Sequence, residues 1–192
     1  MTRFDAIDLT RRTLTDEPVV VSLGHPAYEL FAAGDRTLNF YTWGSMGLTS
    51  SIALGLALAR PDRRVVALDG DGSLLMNLGS LATIAACAPP NLFLLVFDNG
   101  QYGTTGGQPT ATAGDADLEA AARAMGVRQT ATVRDAQQLE LALDASRQSP
   151  GPWVVVAKVD ESAPTVKPPL DCVDIKNRFM AALAADSGSR TQ

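Results

Sequence analysis

Short apolar runs alternate with helical patterns along the whole of this chain. The runs are rich in Val, Leu and Phe and stop at turn residues, which predicts buried strands. They lie at Pro18–Ser22, Leu38–Tyr41 (a short strand or extended piece), Val65–Leu68, Leu92–Phe97, Val127–Val133 and Trp153–Val159.

Helices are predicted between these runs, where apolar residues recur at helical spacing. They cover Asp5–Leu14, Tyr28–Ala33, Met46–Arg60, Leu74–Cys87, a stretch from a cap at Asp115 or Asp117 to Met125, a stretch from a capping box at Asp135 and Gln138 to about Arg147, and Val173–Ala185. Gly24-His25-Pro26 is predicted to interrupt the pattern after the first strand. Strands that alternate with helices predict an α/β fold, doubly wound, with a mainly parallel sheet and helices on both faces.

The segment Met46–Arg60 differs from the other predicted helices because it carries no charge before Arg60 and contains many small residues. A helix that is apolar all round is typical of a buried position. We therefore expect a core helix, and we expect another chain to cover part of its surface.

Turn residues follow two of the predicted strands and suggest a ligand site. Asp69-Gly70-Asp71-Gly72-Ser73 comes after Val65–Leu68, and Asp98-Asn99-Gly100 comes after Leu92–Phe97. Strand, helix and strand form one right-handed crossover unit, so both turns are expected at the same edge of the sheet. Open parallel sheets bind their ligands at the carboxyl ends of their strands.

The first turn has the chemistry of an anion site. Gly70 and Gly72 allow a tight turn and a close approach of the backbone to a ligand. Ser73 is expected to begin the next helix, whose free N–H groups attract an anion such as a diphosphate. On the residues alone, Ser73 can instead be a simple helix cap.

The second turn completes a predicted metal site. Asp71 puts a carboxylate beside the expected anion, and two neighbouring negative groups require a hard divalent cation with oxygen ligands. Asn99 offers a side-chain carbonyl oxygen from the adjacent strand end, and Gln101 offers its backbone carbonyl. The alternatives are that Asp71 only caps the helix and that Asn99 is only a turn residue.

These residues resemble the signature of thiamine-diphosphate enzymes. Gly70-Asp71-Gly72 is followed by 25 residues and then by Asp98-Asn99, where many members have a pair of Asn. With the flanks Trp43-Gly44-Ser45-Met46-Gly47 and Tyr102–Thr110, the chain is most similar to the beta subunits of sulfopyruvate and phosphonopyruvate decarboxylases. The similarity is clear over roughly Asn39–Thr110 and weaker near Arg178-Phe179-Met180.

The resemblance implies thiamine diphosphate and Mg²⁺ as cofactors, with Asp71, Asn99 and Gln101 as metal ligands. It also implies that Met46 supports the cofactor in its bent, reactive form, although Met46 can also be plain core packing. The implied cofactor-binding residues are Gly44, Ser45, Met46, Gly70, Asp71, Gly72, Ser73, Asn99, Gln101, Tyr102 and Gly103.

The candidates for lining the site are Tyr102 and three further residues, His25, Thr104 and Gln108. His25 is the one histidine of the chain and lies where the resembling decarboxylases more often have a small hydroxylated residue and an Arg nearby. It is either a proton carrier at the site or a surface or capping residue. Tyr102, Thr104 and Gln108 follow the metal turn and either line the site or pack within a loop.

Composition limits the remaining functions. The chain has 192 residues, 46% hydrophobic and 19% charged, with a net charge of −5, two cysteines and no basic run. We expect a single globular domain over residues 1–192 with a tail from about residue 160, and no nucleic-acid or membrane-surface binding. Two distant cysteines indicate unpaired thiols in a reducing compartment, and the absence of an apolar signal or spanning segment favours a cytoplasmic location.

The resemblance implies a partner, because cofactor activation in these enzymes needs a glutamate from a separate pyrimidine-binding domain. We expect that glutamate on an alpha subunit, in an α2β2 or larger complex that releases CO₂ and an aldehyde from a 2-oxo acid such as sulfopyruvate or phosphonopyruvate. Alternatives are a subunit of a carboligase, a subunit of a 2-oxoacid oxidoreductase, or a non-catalytic cofactor-binding subunit.

Overall fold

Six parallel strands form the central sheet within residues 1–162, 164 and 166–185, which the computed structural model describes. In spatial order they are β2 (Asn39–Tyr41), β1 (Val19–Val21), β3 (Val65–Gly70), β4 (Leu92–Asp98), β8 (Trp153–Lys158) and β7 (Gln129–Val133). A small antiparallel hairpin of β5 (Gln101–Tyr102) and β6 (Gln108–Pro109) stands apart from the sheet. Each predicted strand is confirmed to within two residues at either end.

Helices cover both faces of this sheet, as the alternating pattern predicts. On one face lie α1 (Arg3–Arg12), α2 (His25–Gly34), α7 (Ala136–Gln148) and α8 (Cys172–Ala185). On the other lie α3 (Thr49–Ala59), α4 (Asp71–Met76), α5 (Ser80–Cys87) and α6 (Leu118–Ala124). Val66 and Leu68 of β3 pack on the first face and Val65 and Ala67 on the second, so the strand is apolar at every position because neither face meets water.

The prediction of one helix over Leu74–Cys87 is wrong, because the structure has two helices, α4 and α5, in this segment. The first ends at Asn77, whose backbone leaves the helical region with φ −140° and ψ 48°. The side-chain amide of Asn77 donates to Ser51 Oγ on α3 at 3.2 Å. This contact joins two side chains and accompanies the break between the helices, which the apolar spacing of the segment does not record.

Helix starts differ from the sequence-based bounds for local reasons. α1 begins at Arg3 because Thr2 and Asp5 form a capping box. α2 begins at His25, so the predicted interruption at Gly24-His25-Pro26 is the helix start, where a proline in the first turn is tolerated. α3 begins only at Thr49, and residues 46–48 form the turn before it.

The predicted tail from about residue 160 stays a prediction, whereas the last predicted helix is present within the described residues. α8 is confirmed at Cys172–Ala185. Residues 163, 165 and 186–192 of the expected tail lie outside the described part of the chain. Both cysteines are unpaired and exposed.

The strand order determines where a ligand can bind. The chain passes from β1 to β2 on one side and then returns across β1 to β3 on the other, so the order reverses between β1 and β3. In open α/β sheets the crevice at such a reversal, outside the carboxyl ends of the strands, is the binding site. Across the described ranges, no helix is long and apolar enough to span a membrane.

Candidate functional site

An open cavity of about 110 Å³ lies at the carboxyl ends of β1, β3 and β4. It is lined by Arg3, Ser22, Leu23, His25, Pro26, Met46, Gly70, Asp71, Gly72, Ser73, Phe97, Asn99, Gln101, Tyr102, Gly103, Thr104 and Thr105. Most of the residues singled out in the sequence therefore meet in one place. Gly44, Ser45 and Gln108 are outside the lining, and their assignment to the site stays a prediction.

Gly72 is required at its position by a close contact with the loop that follows β4. A Cβ atom on Gly72 would lie 2.4 Å from the ring of Tyr102. Such a distance is far below van der Waals contact, so a larger residue would displace the aromatic ring. Tyr102 thus packs directly on the turn that is expected to hold the diphosphate.

Ser73 joins three turns around the cavity. It is the third residue of α4, which begins at Asp71, so the expectation that Ser73 begins the helix is wrong by two residues. Its hydroxyl accepts the backbone N–H of Gly47 at 3.0 Å and lies 3.3 Å from Ser22 Oγ. Ser73 therefore fixes the turn that carries Met46 against the turn after β3.

Asp71 is buried and carries a charge that no basic side chain offsets. It is 2% exposed, and its Oδ2 accepts the hydroxyls of Thr110 at 2.6 Å and Thr112 at 2.9 Å. Burial raises the pKa of Asp71 and the nearby Asp98 raises it further, against the lowering by the two hydroxyls. Among the described residues no salt bridge to Asp71 is recorded.

Asp98 lies beside Asp71, but its charge is compensated. Lys158 of β8 forms an ion pair with Asp98, and the one hydroxyl hydrogen of Thr112 is shared between Asp71 and Asp98 Oδ1, which lies 2.7 Å away. Of the two neighbouring carboxylates, Asp71 alone faces the cavity without a cation. The sequence-based interpretation gave no role to Thr110, Thr112 or Lys158. They are ordinary loop and strand residues in the sequence, and only the fold brings them to the carboxylates.

Asn99 and Gln101 line the same cavity as Asp71, as predicted. The amide Nδ2 of Asn99 donates to Glu161 Oε1 at 2.6 Å, and the backbone N–H of Gln101 donates to Asn99 Oδ1 at 3.3 Å. In the described part of the chain no group of three His, Cys, Asp or Glu side chains is arranged to hold a metal. A mixed set of one uncompensated carboxylate and neutral oxygens nevertheless fits a hard divalent cation that brings its own anion.

Asp69 lies directly before Gly70. The sequence-based interpretation gave a role to Asp71 but none to Asp69. It is fully buried, and the backbone N–H of Gly70 donates to its Oδ1 at 3.0 Å. Burial raises the pKa of Asp69 to about 6, although the hydroxyls of Ser73, Ser22 and Thr49 oppose the rise. This carboxyl group belongs to the support beneath the turn, since it is absent from the cavity lining.

Met46 and His25 both line the cavity, from different elements. Met46 lies half-buried on the turn before α3, and His25 is the first residue of α2. The Nδ1 atom of His25 is 3.7 Å from Glu161 Oε2 and has no hydrogen-bond partner among the described residues. Of the two alternatives for Thr104, the structure has it in the cavity lining, whereas Gln108 is exposed on β6.

No sequence pattern indicated Arg3, which lines the cavity, or Glu161, which contacts the lining residues Arg3 and Asn99. Arg3 lines the cavity from α1, and its guanidinium binds Glu29 and Glu161. Arg3 and Glu161 are 158 residues apart in the sequence. Local spacing carries no signal over that separation.

Comparisons with known proteins agree with this geometry. The family model of the thiamine pyrophosphate enzyme, C-terminal TPP binding domain, matches residues 24–157. The sulfopyruvate decarboxylase subunit beta of Methanococcus maripaludis is 42% identical over 95% of this chain and 98% of its own length. The phosphonopyruvate decarboxylase of Streptomyces viridochromogenes is 44% identical over 73% of this chain, which spans 35% of that relative.

A solved structure shares the fold. The thiamine diphosphate-dependent 4-hydroxybenzoylformate decarboxylase of Rhodococcus jostii superposes with a TM-score of 0.74 at 22% identity. The match covers 84% of this chain and 33% of that enzyme. At this level of identity the likeness shows the same fold and nothing finer.

Proposed function

Because the chain belongs to the thiamine pyrophosphate enzyme family, through the TPP-binding domain of these enzymes, we propose that it is the diphosphate-binding subunit of a 2-oxoacid decarboxylase. The substrate is sulfopyruvate, phosphonopyruvate or a similar anionic three-carbon 2-oxo acid, and the products are CO₂ and an aldehyde. The observation that carries this proposal is the match over 98% of a sulfopyruvate decarboxylase beta subunit at 42% identity.

The residues of the cavity have distinct tasks in this function. Asp71, the Asn99 carbonyl and the backbone carbonyl of Gln101 hold Mg²⁺, and Gly72 and Ser73 bind the diphosphate. Asp71 suits this task because a cation would offset its otherwise uncompensated buried charge. Bound thiamine diphosphate supplies the electron sink that accepts the electron pair when CO₂ leaves.

Met46 and His25 act on the reacting part of the cavity. Met46 projects from a turn held by Ser73 and supports the bent form of the cofactor. His25 is assigned the transfer of a proton at the site, and its position in the cavity lining supports that role.

The remaining half of the active site belongs to a partner alpha subunit. The name of the Methanococcus maripaludis relative implies such a partner for that protein, and the longer phosphonopyruvate decarboxylase contains nearly two thirds of its length beyond the matched region. We assign the activating glutamate to a pyrimidine-binding subunit that packs across the cavity, in an α2β2 or larger complex located in the cytoplasm.

The test is an assay of the chain together with its partner subunit. We expect CO₂ release from sulfopyruvate or phosphonopyruvate that depends on thiamine diphosphate and Mg²⁺ and needs no external electron acceptor. Asp71→Ala should abolish the Mg²⁺-dependent binding of the cofactor, measured by calorimetry, while circular dichroism stays that of the folded chain. Strict dependence on ferredoxin or coenzyme A, or carboligation products alone, would contradict the proposal.

A further inference from the structure

Glu161 connects three parts of the cavity wall through one carboxylate. It lies just after β8, and its side chain is 32% exposed. Its Oε1 accepts the Asn99 amide at 2.6 Å, and its Oε2 accepts Arg3 Nη2 at 3.0 Å. The Nδ1 atom of His25 lies 3.7 Å from the same Oε2.

Arg3 gives Glu161 a fixed anchor. The Arg3 side chain is 5% exposed and binds Glu29, which is 1% exposed, through Nε at 2.9 Å and Nη2 at 3.0 Å. Such a two-point pair of buried charges holds the guanidinium in one orientation. Arg3 Nη2 also lies 3.2 Å from the backbone carbonyl of Ser162, the residue after Glu161.

Gly103 leaves the space that the carboxylate of Glu161 occupies. A Cβ atom on Gly103 would lie 2.3 Å from Glu161 Oε1 and 3.3 Å from His25 Nδ1. The loop after β4 thus approaches the carboxylate as closely as a backbone without a side chain can. The contact between Glu161 and Asn99 is built into the packing of this loop.

The charge of Glu161 decides which atom of Asn99 faces it. An ionised carboxylate only accepts hydrogen bonds, so the Asn99 atom at 2.6 Å is the NH₂ group. The carbonyl oxygen is then the other atom, and it accepts the Gln101 N–H at 3.3 Å. We propose that Glu161 is a positioning residue that holds the Asn99 amide in this orientation and leaves its carbonyl oxygen available as a metal ligand.

A glutamine in place of Glu161 cannot do the same. The two carboxylate oxygens of Glu161 accept from two donors, Asn99 and Arg3. A glutamine has one oxygen, which the charged guanidinium will take, and its NH₂ group then faces Asn99. The Asn99 amide is expected to turn over and direct its carbonyl to the glutamine.

The test is a double-mutant cycle on the complex of the chain with its partner subunit. The apparent affinity for Mg²⁺ is measured by calorimetry at a fixed concentration of thiamine diphosphate. We expect Glu161→Gln to weaken it by about 10- to 100-fold, as is typical when a group that orients a metal ligand is changed. In the background of Asn99→Asp, which presents oxygen in either orientation, we expect no loss from Glu161→Gln.

A matched control is Asp160→Ala, the neighbouring acidic residue. Its side chain is 81% exposed, and its recorded ion pair is with the N-terminal amine. This variant should bind Mg²⁺ as the wild type does. Thermal unfolding of all variants without cofactor reports any general loss of structure, which the proposal does not predict for Glu161→Gln.

Three outcomes would overturn the inference. An unchanged Mg²⁺ affinity in Glu161→Gln would show that the contact does not orient Asn99. An equal loss in the wild-type and Asn99→Asp backgrounds would show that Glu161 acts by its charge or through the fold. The inference rests on the proposed function, so failure of the wild-type complex to bind the cofactor with Mg²⁺ would overturn the inference and the proposed function together. If the wild-type complex binds normally, either of the first two results overturns the inference alone.

Discussion

Met46 offers the most direct test of a single side chain at the reacting end of the cavity. It lines the cavity from the turn before α3, apart from the turns after β3 and β4 that are proposed to anchor the diphosphate and metal. Met46→Ala should therefore lower kcat by about tenfold or more, or at least ~1.4 kcal/mol of barrier, with little change in cofactor affinity. Steady-state kinetics and calorimetry on the complex separate the two effects.

The exposed Met180 on α8 provides a control of the same chemical type. Met180→Ala should leave both kcat and cofactor affinity unchanged. If Met46→Ala loses cofactor affinity but keeps its turnover per bound cofactor, Met46 is a packing residue and does not support the reactive form.

Asp69 should make the stability of the free chain depend on pH. Its folded-state pKa is raised to about 6 by burial, above the usual value of 3.8. Because its pKa is raised in the folded state, the Asp69 carboxyl stabilises the fold fully when the pH is below the ordinary pKa of 3.8. This contribution is lost as the pH rises through about 6. Asp69→Asn removes the titration, so its free energy of unfolding relative to wild type should rise by up to roughly 3 kcal/mol between about pH 4 and pH 7.

Urea unfolding of both chains without cofactor, over this pH range, measures the difference. The comparison cancels the other titrating groups, and a constant packing defect in the variant shifts the curve without changing its slope. Parallel curves for the wild-type chain and the Asp69→Asn variant would contradict the raised pKa.

At the scale of elements, α3 presents a face that fits a partner better than water. It contains no charged residue, and Leu58 is 52% exposed with Gly55 and Ala59 beside it. The cover of part of this helix by another chain stays a prediction. Leu58→Glu should weaken assembly with the partner subunit by about tenfold or more, because a charge in a permanent apolar interface loses its water.

Leu141→Glu is the matched control for this face. Leu141 is 64% exposed on α7, which packs on the opposite side of the sheet. Analytical ultracentrifugation of each variant with the partner subunit measures assembly. Similar behaviour of the two variants would show that α3 is not part of the interface.

For the whole molecule, the chain is expected to depend on its partner. Purified alone, it should bind thiamine diphosphate weakly and should not decarboxylate any 2-oxo acid, because half of the proposed site is missing. Mixing with the pyrimidine-binding subunit should restore activity and produce an α2β2 or larger complex, visible by light scattering. Cofactor should strengthen this assembly, since it binds the complex better than either chain. Turnover by the purified chain alone would contradict the expectation.

The fold class and the principal turns of the site follow from local patterns along the chain. Apolar runs between helical patterns predict the parallel sheet, and the residues around Asp71 and Asn99 stand next to the strands that carry them. Both kinds of signal lie within a few residues along the chain. Over that distance the backbone geometry of a helix or strand determines which way each side chain points. That is why the strand bounds and the meeting of Asp71, Asn99 and Gln101 at one cavity are correct.

The distant groups that surround those residues are seen only in the folded chain. The hydroxyls of Thr110 and Thr112 reach Asp71, and the contact of Asn77 with Ser51 accompanies the end of α4. Glu161 meets Arg3 across 158 residues. Such contacts depend on how whole elements pack. Their energies come from burial and charge compensation in the folded interior, and no local spacing along the chain encodes them.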